Sequence, residues 1–341
     1  MPRLLLYIIL GFAAVLAEGQ ENHFAQFYSA PQYLNPAFAG DAKQARAGST
    51  FRLMSPSDET NILNSLVHFD YKIHHQPNGI GVFFYQHTEA LTHLKLQVNY
   101  SHSIQLNEKS WVKGGLAVSF NQRHTPSQSL KYPDQYNNSG YTGQASAEQN
   151  LKENSYFPAV AAGIILYNHQ TWMSLSADYL NQPKENFAGA SSTYPTKLCF
   201  MMGSFIPINK TSSRRRINKM GDLKPISGIG PLAGFTWQNK YLEASAGISL
   251  YAKPIFVGIN YRYQHNLALE TTQNAYKALV WIVGIRQQGY SFTYSYDQLM
   301  RSVTSNKSKA HEFSLVFYFE GARRDIKPVK LVPLPAQLFY D

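Results

Sequence analysis

Long apolar runs and charged residues are both scarce in this sequence. Beyond the first residues of the chain, no stretch of about 18 or more apolar residues could cross a bilayer as a helix. Only 15% of the 341 residues are charged, whereas soluble domains have about a quarter. These scarcities argue against a helical membrane protein and against a soluble helical core. A membrane β-barrel remains, because its strands alternate apolar and polar residues and average to a soluble-looking hydropathy.

Cysteine and recognisable catalytic motifs are scarce too. Cys199 is the single cysteine, so no disulfide can form within the chain, and the apolar run around it predicts a buried, inert thiol. The sequence has no HExxH, paired CxxC, GxSxG or phosphate-binding glycine loop. The adjacent histidines His74 and His75 fall in a predicted tight turn. We predict no enzyme, no cofactor and no metal site, although Ser, His and Asp residues on separate strands could still meet across a barrel.

Residues 1–17 have the pattern of a cleaved signal peptide. Arg3 precedes an apolar stretch that ends at Ala17, where small residues suit a signal peptidase, and polar residues follow. The alternative, an uncleaved anchor, would be too short to span a membrane. No cysteine lies near the cleavage site, which excludes attachment as a lipoprotein.

The chain is basic, with a net charge of +10 and a pI of about 9.4. This balance would favour nucleic-acid binding in a cytosolic protein, but export predicts no nucleic-acid partner. The anionic partners of an envelope protein are outer-membrane lipid, lipopolysaccharide and the cell-wall polymer. Residues 213–216 form the densest basic cluster, which is either a contact site or a solvated loop.

Apolar and polar residues alternate with a period of two in several long segments. Residues 93–106 place Leu96 and Val98 on one face and Gln97 and Asn99 on the other. The same alternation occurs in residues 241–250, 290–297 and 313–319. Residues 275–286 are apolar on both faces, which predicts packing against a plug or a neighbouring subunit. Such lengths exceed the strands of a β-sandwich, and no fixed repeat supports a solenoid.

About fourteen strands are predicted, an even number that places both termini of a bacterial barrel in the periplasm. They begin near Arg46, Leu66, Gly79, His93, Ser110, Phe157, Thr171, Thr196, Lys224, Tyr241, Pro254, Ala275, Gly289 and Ala310. Pro158 is expected to initiate its strand, where no ladder donor is lost. Long connections then face outside, and the polar loop 122–155 is predicted to be a contact surface. The connection 207–222, with the arginine cluster, is a longer exception on the periplasmic side.

Residues 26–40, with the sequence QFYSAPQYLNPAFAG, resemble the opening segment of the PorP/SprF family. These Bacteroidetes outer-membrane proteins belong to the type IX secretion and gliding-motility systems. Three later pieces continue the resemblance in the family's order. They are YFPAVAAG at 156–163, SYD at 295–297 and AHEFSL at 310–315. The chain departs from the family's pattern in loop 122–155, in connection 207–222 and in the tail.

The resemblance implies an all-β, FadL-like transmembrane antiparallel barrel with a plug-like N-terminal segment. It implies an outer-membrane anchor or accessory that supports export or surface attachment of a large cargo, such as an adhesin with a C-terminal sorting domain. A periplasmic cell-wall-binding protein is a further implied partner. The alternative is a porin-like or hydrophobic-solute transporter. A water-filled lumen would favour transport, and a plugged lumen with long outer loops would favour anchoring.

The predicted binding residues lie in the family motif of the N-terminal segment. They are Tyr33, Asn35, Pro36, Ala37, Phe38 and Gly40. Proline restricts the preceding asparagine to extended geometry, so the segment should fold back before the first strand. It is either an ordinary lead-in or a plug whose aromatic side chains fill the lumen. The predicted organisation is a signal peptide (1–17), the N-terminal segment (18–45), the barrel (46–320) and a periplasmic tail (321–341).

Overall fold

The structure is a computed structural model, and it describes most of the chain between residues 24 and 319. The described ranges are 24–42, 45–55, 61–73, 76–89, 91–124, 135–137, 140–144, 153–187, 190–208, 227–252, 254–266, 276–287, 289–300 and 309–319. The predicted signal peptide, the histidine pair, the arginine cluster, most of loop 122–155 and the tail lie outside these residues. Within the described ranges, no helix is both long and apolar enough to cross a membrane.

Fourteen strands form the wall of the molecule. They are β1 (Ala45–Ser55), β2 (Ile62–Lys72), β3 (Asn78–Thr88), β4 (Thr92–Asn107), β5 (Ser110–His124), β6 (Asn154–Asn168), β7 (Thr171–Asp178), β8 (Lys197–Ser204), β9 (Gly228–Gln238), β10 (Tyr241–Ala252), β11 (Ile255–Asn266), β12 (Tyr276–Gln287), β13 (Tyr290–Leu299) and β14 (Lys309–Phe319). Every predicted strand is present, and its start lies within a few residues of the predicted position. Short strands also form at Tyr136–Asn137, Gly140–Tyr141, Lys184–Phe187, Ala190–Thr193 and Ile206–Pro207.

The wall closes on itself, which confirms the barrel. Each strand pairs antiparallel with its neighbours, β8 pairs with β9, and the last strand pairs with the first from Ala45–Phe319 to Ser55–Lys309. A closed sheet has no exposed edge and satisfies its backbone hydrogen bonds within lipid. We call the end at which β1 begins the inner end and the opposite end the outer end. With an even strand count the inner end is expected to face the periplasm.

The two faces of the strands are divided as the alternation predicts. On β4, Val98 is 59% exposed on the outside of the barrel, while Gln97 and Asn99 are buried inside it. Phe313 and Phe317 of β14 likewise face outward. A hydrocarbon-facing apolar surface and a polar interior are what a transmembrane barrel requires.

Strand β12 is apolar on both faces because its inner face is packed. Val280 and Ile282 point into the barrel and are buried in one cluster with Ala25 and Phe256, against which Tyr28 also packs. Ala25 and Tyr28 belong to the N-terminal segment. The sequence analysis gave two explanations for the apolar residues on both faces of β12, a plug or a neighbouring subunit. Packing against the N-terminal segment, as a plug would pack, accounts for the inner face.

Pro158 does not initiate β6, so that expectation is wrong. It lies within the strand, opposite Phe120 of β5. The nitrogen of Pro158, which carries no hydrogen, is on the side of β6 that faces β7. The N–H of Val160 is on the same side, and it donates to the Asn181 side chain rather than to a strand. Because β7 begins to pair only at Ala162, proline removes no ladder bond here.

Candidate functional site in the barrel lumen

Residues 24–42, here called the inner segment, lie inside the barrel. The segment is a series of three short 3-10 turns, at Phe27–Ser29, Pro31–Tyr33 and Pro36–Phe38. Proline begins the second and third turns, where its fixed φ suits a helical turn and its missing N–H costs nothing. Asn35 is extended, as a residue before proline prefers, and its side chain accepts a hydrogen bond of 2.8 Å from the N–H of Ala37.

All six motif residues predicted to form a binding site are buried in this segment. Tyr33 packs against Phe83 and Tyr85 of β3, with ring centroids 5.6 and 5.2 Å away. Phe38 packs edge-on against Trp172 of β7 at 5.5 Å. The aromatic side chains of the motif thus occupy the lumen, on the side of β3 to β7. Their role as binding residues for another molecule stays a prediction.

Three amide side chains of the inner segment donate to carbonyl oxygens of the barrel wall. Gln26 donates to the Glu312 carbonyl at 3.0 Å, and Gln32 donates to the Phe69 carbonyl at 3.2 Å. Asn35 donates to the carbonyl of Ile164 at 3.3 Å. The contacts lie on β14, β2 and β6, so they fix the segment at separate points around the wall. A buried amide without such a partner would cost about 1–3 kcal/mol.

Glycines in the wall let the backbone of the inner segment approach closely. A Cβ atom on Gly115 would lie 2.2 Å from the Ala37 nitrogen, and one on Gly163 would lie 2.0 Å from the Asn35 side-chain oxygen. Real Cβ contacts are never this short. The neighbouring Gly114 faces outward, with nothing within 4 Å of its Cβ position.

We expect Gly115→Ala to destabilise the folded barrel by about 1–3 kcal/mol, because the added methyl group overpacks the lumen against backbone atoms. Gly114→Ala is the matched control on the opposite face of β5, and we expect its effect to be within about 1 kcal/mol. Urea unfolding of both variants in lipid vesicles measures the difference. Equal effects would show that the inner segment does not press on Gly115.

A cluster of buried charges holds the segment at the inner end of the barrel. Arg46 of β1 forms ion pairs with Asp41 at 3.0 Å and with Asp70 of β2 at 2.7 Å. Asp70 also accepts from the N–H of Gly40 at 3.1 Å. Lys113 donates to the Ala39 carbonyl at 2.8 Å. Burial raises the pKa of the Asp41 carboxyl above its usual range, against the opposing charges of Arg46 and Lys113.

A second charged cluster holds the other end of the segment, close to the outer ends of β14 and β1. The carboxylate of Glu312 accepts from the backbone N–H groups of Ala25 and Gln26 at 2.8 and 2.7 Å. Arg52 of β1 pairs with Glu312 at 3.1 Å and with Asp297 of β13 at 2.6 Å. These side chains are almost fully buried, and the cluster joins the first strand to the last two.

The outer connection between β7 and β8 folds inward over one side of the mouth. Its hairpin, Lys184–Phe187 with Ala190–Thr193, carries Glu185, whose carboxylate pairs with Arg123 of β5 and is buried. Asp178 pairs with Lys95 of β4. The nitrogen of Lys197 lies 5.3 Å from the Tyr33 ring centroid, within range of a cation–π contact. The connection therefore packs against inward-facing residues of the barrel wall.

The structure brings together the four sequence pieces that carry the family resemblance. The inner segment contacts Gly163 of the second piece, Ser295 of the third and Glu312 of the fourth. Sequence reasoning did not select Gln26, Gln32, Arg52, Asp297 or Glu312 as site residues. The signal was present in part, because the last three are charged residues at inward positions of alternating strands. The ion pairs among these three residues could not be predicted from the sequence, because they form only when the barrel closes.

No group of three or more His, Cys, Asp or Glu side chains among the described residues is placed to hold a metal ion. Cys199 is buried, as predicted, and lies 3.6 Å from the Thr236 hydroxyl.

A sequence model of the family described as "Type IX secretion system membrane protein PorP/SprF" matches residues 16–317. The chain belongs to the PorP/SprF family. The family match and the closed barrel together place this PorP/SprF protein in the outer membrane, as a component of type IX secretion. A sequence search of curated proteins finds no match.

The chain is similar to several solved structures over most of its length. A FadL homologue of Pseudomonas aeruginosa matches with a TM-score of 0.48 at 10% identity, over 83% of this chain and 94% of that one. The toluene transporter TodX of Pseudomonas putida matches with a TM-score of 0.46 at 8% identity, over 87% and 93%. The KdgM porin matches with a TM-score of 0.35 at 5% identity, over 80% and 99%.

Proposed function

We propose that this PorP/SprF protein is a closed outer-membrane anchor that supports surface attachment or export of a large secreted cargo protein. The observation that carries the proposal is the occupied lumen. A transporter needs a path for its solute, whereas an anchor needs a rigid body in the membrane and surfaces for its partners on the two sides.

The inner segment is attached too firmly to serve as a loosely held gate. Its outer end is bound by Glu312 and its inner end by Arg46 and Asp70. Opening a path would separate buried charges from their partners, and breaking one such pair costs about 3–5 kcal/mol. A closed state is therefore the stable state of the barrel.

The inner segment itself bounds one of the pockets in the described part of the lumen. Phe24, Phe27 and Leu34 of the segment line one side of it. Met201 and Arg262 line the side formed by the wall. The segment therefore helps to enclose this pocket, as the proposed closed lumen requires.

The partners are expected at opposite ends of the barrel. The cargo, with its C-terminal sorting domain, would contact the outer connections, which include loop 122–155 and the described hairpin between β7 and β8. A periplasmic cell-wall-binding protein would hold the inner end, where Asp41 and Lys113 lie. Outer loops contribute little to barrel closure, so they can be adapted to one cargo without loss of the fold.

The proposal is tested by comparing cargo on cells with cargo in the growth medium. Deleting the gene should remove the specific cargo from the cell surface, while secretion of unrelated proteins continues. A variant trimmed at the tip of loop 122–155 should release cargo into the medium although the barrel still assembles, which heat-modifiable migration verifies. Unchanged surface cargo in the deletion strain, together with lost uptake of a small solute, would instead establish transport.

A further inference from the structure

We propose that the outer ends of β10–β14 form a docking surface for the phosphate groups of lipopolysaccharide in the outer leaflet. The surface, here called the basic rim, consists of Lys240, His265, Lys277, Lys309 and His311. Lys240 is in the tight turn before β10, and the other four are on β11, β12 and β14. The inference concerns the lipid around the barrel and does not depend on the proposed anchoring function.

The strand pattern turns the basic rim toward the lipid. Lys277 lies between Tyr276, whose hydroxyl donates to Asp297 inside the barrel, and the fully buried Ala278. Lys309 is exposed, pairs with Gln298 and precedes the inward-facing Ala310. Because neighbouring strand residues point to opposite faces, both lysine side chains lie on the outside of the wall.

Aromatic side chains hold the basic rim at the level of the membrane interface. The nitrogen of Lys277 lies 5.8 Å from the Tyr263 ring centroid. His311 accepts or donates a hydrogen bond of 2.9 Å with the Tyr294 hydroxyl, and its ring lies 5.2 Å from that of Tyr296. Tyrosine and tryptophan mark the headgroup level in membrane proteins. The basic groups are therefore placed where lipid phosphates lie.

Among the described residues of these strands, the side chains that face the lipid carry charge of one sign only. Among the described residues of β9–β14, the three acidic side chains Glu243, Asp297 and Glu312 all face the lumen. The basic side chains of the rim consequently have no outward-facing carboxylate beside them in the described part of these strands. On the opposite side, by contrast, the exposed Glu89 lies 3.7 Å from His87.

The spacing of the lysines suits a headgroup with more than one phosphate. Lys277 and Lys309 are two strands apart and offset along the strands, which places their Cα atoms about 12 Å from each other. Their long side chains can converge on one large headgroup or contact two phosphates of it. Basic side chains close to an anionic membrane surface each contribute to such binding. A lipid with a single small headgroup would contact fewer of the basic side chains.

The test measures lipopolysaccharide that stays bound to the folded barrel after detergent extraction. The triple variant Lys240→Gln, Lys277→Gln and Lys309→Gln should retain on the order of tenfold less than the unmodified protein. Replacing the same lysines by arginine should restore retention, because the charge is kept. Only barrels that show heat-modifiable migration are counted, so a folding defect cannot imitate the result.

The matched control is Lys109→Gln, an exposed lysine in the tight turn at the inner end of the barrel. It should leave retention unchanged, because that end faces the leaflet without lipopolysaccharide. Equal retention by the triple variant and the unmodified protein would overturn the proposal. So would a loss in the Lys109→Gln control as large as that in the triple variant.

Discussion

Arg52→Met should destabilise the barrel by about 3–5 kcal/mol, because it leaves the carboxylates of Asp297 and Glu312 buried without their main cation. Arg52 pairs with these two residues at 2.6 and 3.1 Å. Arg262 lies 3.4 Å from Asp297 and offsets part of the loss. Glu312, which binds the outer end of the inner segment, has no such second cation within an ion-pair distance among the described residues. Urea unfolding in lipid vesicles measures the effect.

Thr50→Val provides the matched control for Arg52→Met. Thr50 lies on the same face of β1 and also bridges the closing strands, through a hydrogen bond of 2.9 Å to Ser314. Both residues are buried. Because a neutral hydrogen bond contributes only about 0.5–1.5 kcal/mol, the control should be several-fold milder. Comparable losses for the two variants would mean that general packing at the closure, and not the charged cluster, stabilises this part of the lumen.

Val98→Arg should cost about 2–4 kcal/mol of barrel stability. Val98 is 59% exposed on the outer face of β4 and lies opposite Val118, which is 62% exposed on β5. A guanidinium at this level would have to enter the hydrocarbon core, where arginine carries a penalty of this size in barrels.

Leu106→Arg is the control for depth, because Leu106 is 56% exposed near the inner end of β4, where the ladder with β5 has a bulge. Near the interface an arginine costs only about 0–1 kcal/mol. Unfolding in vesicles of defined thickness compares the two variants. If Leu106→Arg cost as much as Val98→Arg, the membrane would lie elsewhere on the barrel.

The strands could be predicted from the sequence because their pattern is local. Alternation in β4 and β14 specifies which face is apolar, and a strand's own residues carry that information. The apolar inner face of β12 even indicated that something packs against it. The inner segment's aromatic motif could be placed as a candidate plug, because a proline-rich aromatic segment before a barrel has few other places to be buried.

The contacts that hold the inner segment could not be predicted, because they join residues far apart in the chain. Gln26 and Glu312 are 286 positions apart, and they meet only when β14 pairs with β1. Alternation along β1 is enough to assign Arg52 to the lumen. Its partners could not be predicted, because they depend on the register in which β14 pairs with β1. The expectation for Pro158 was wrong because the sequence does not show that β7 pairs with β6 only from Ala162 onward.

The outer connection between β7 and β8 also escaped prediction. The sequence predicted only a long connection that faces outside, yet Tyr179, Glu185 and Tyr194 are buried against lumen residues. Arg123 and Lys95, which lie on strands distant in sequence, provide the partners that make this burial favourable. Composition alone does not reveal a loop that folds inward.

The closed lumen is tested most directly by the ion conductance of the folded protein in a planar lipid bilayer. The intact protein should insert without resolvable single-channel steps, because the inner segment fills the passage. A variant lacking residues 24–42 should produce steady conductance steps, since its removal leaves a polar, water-filled interior. Steps of the same size from the intact protein and from the deletion variant would contradict the account, because the inner segment would then not close the barrel.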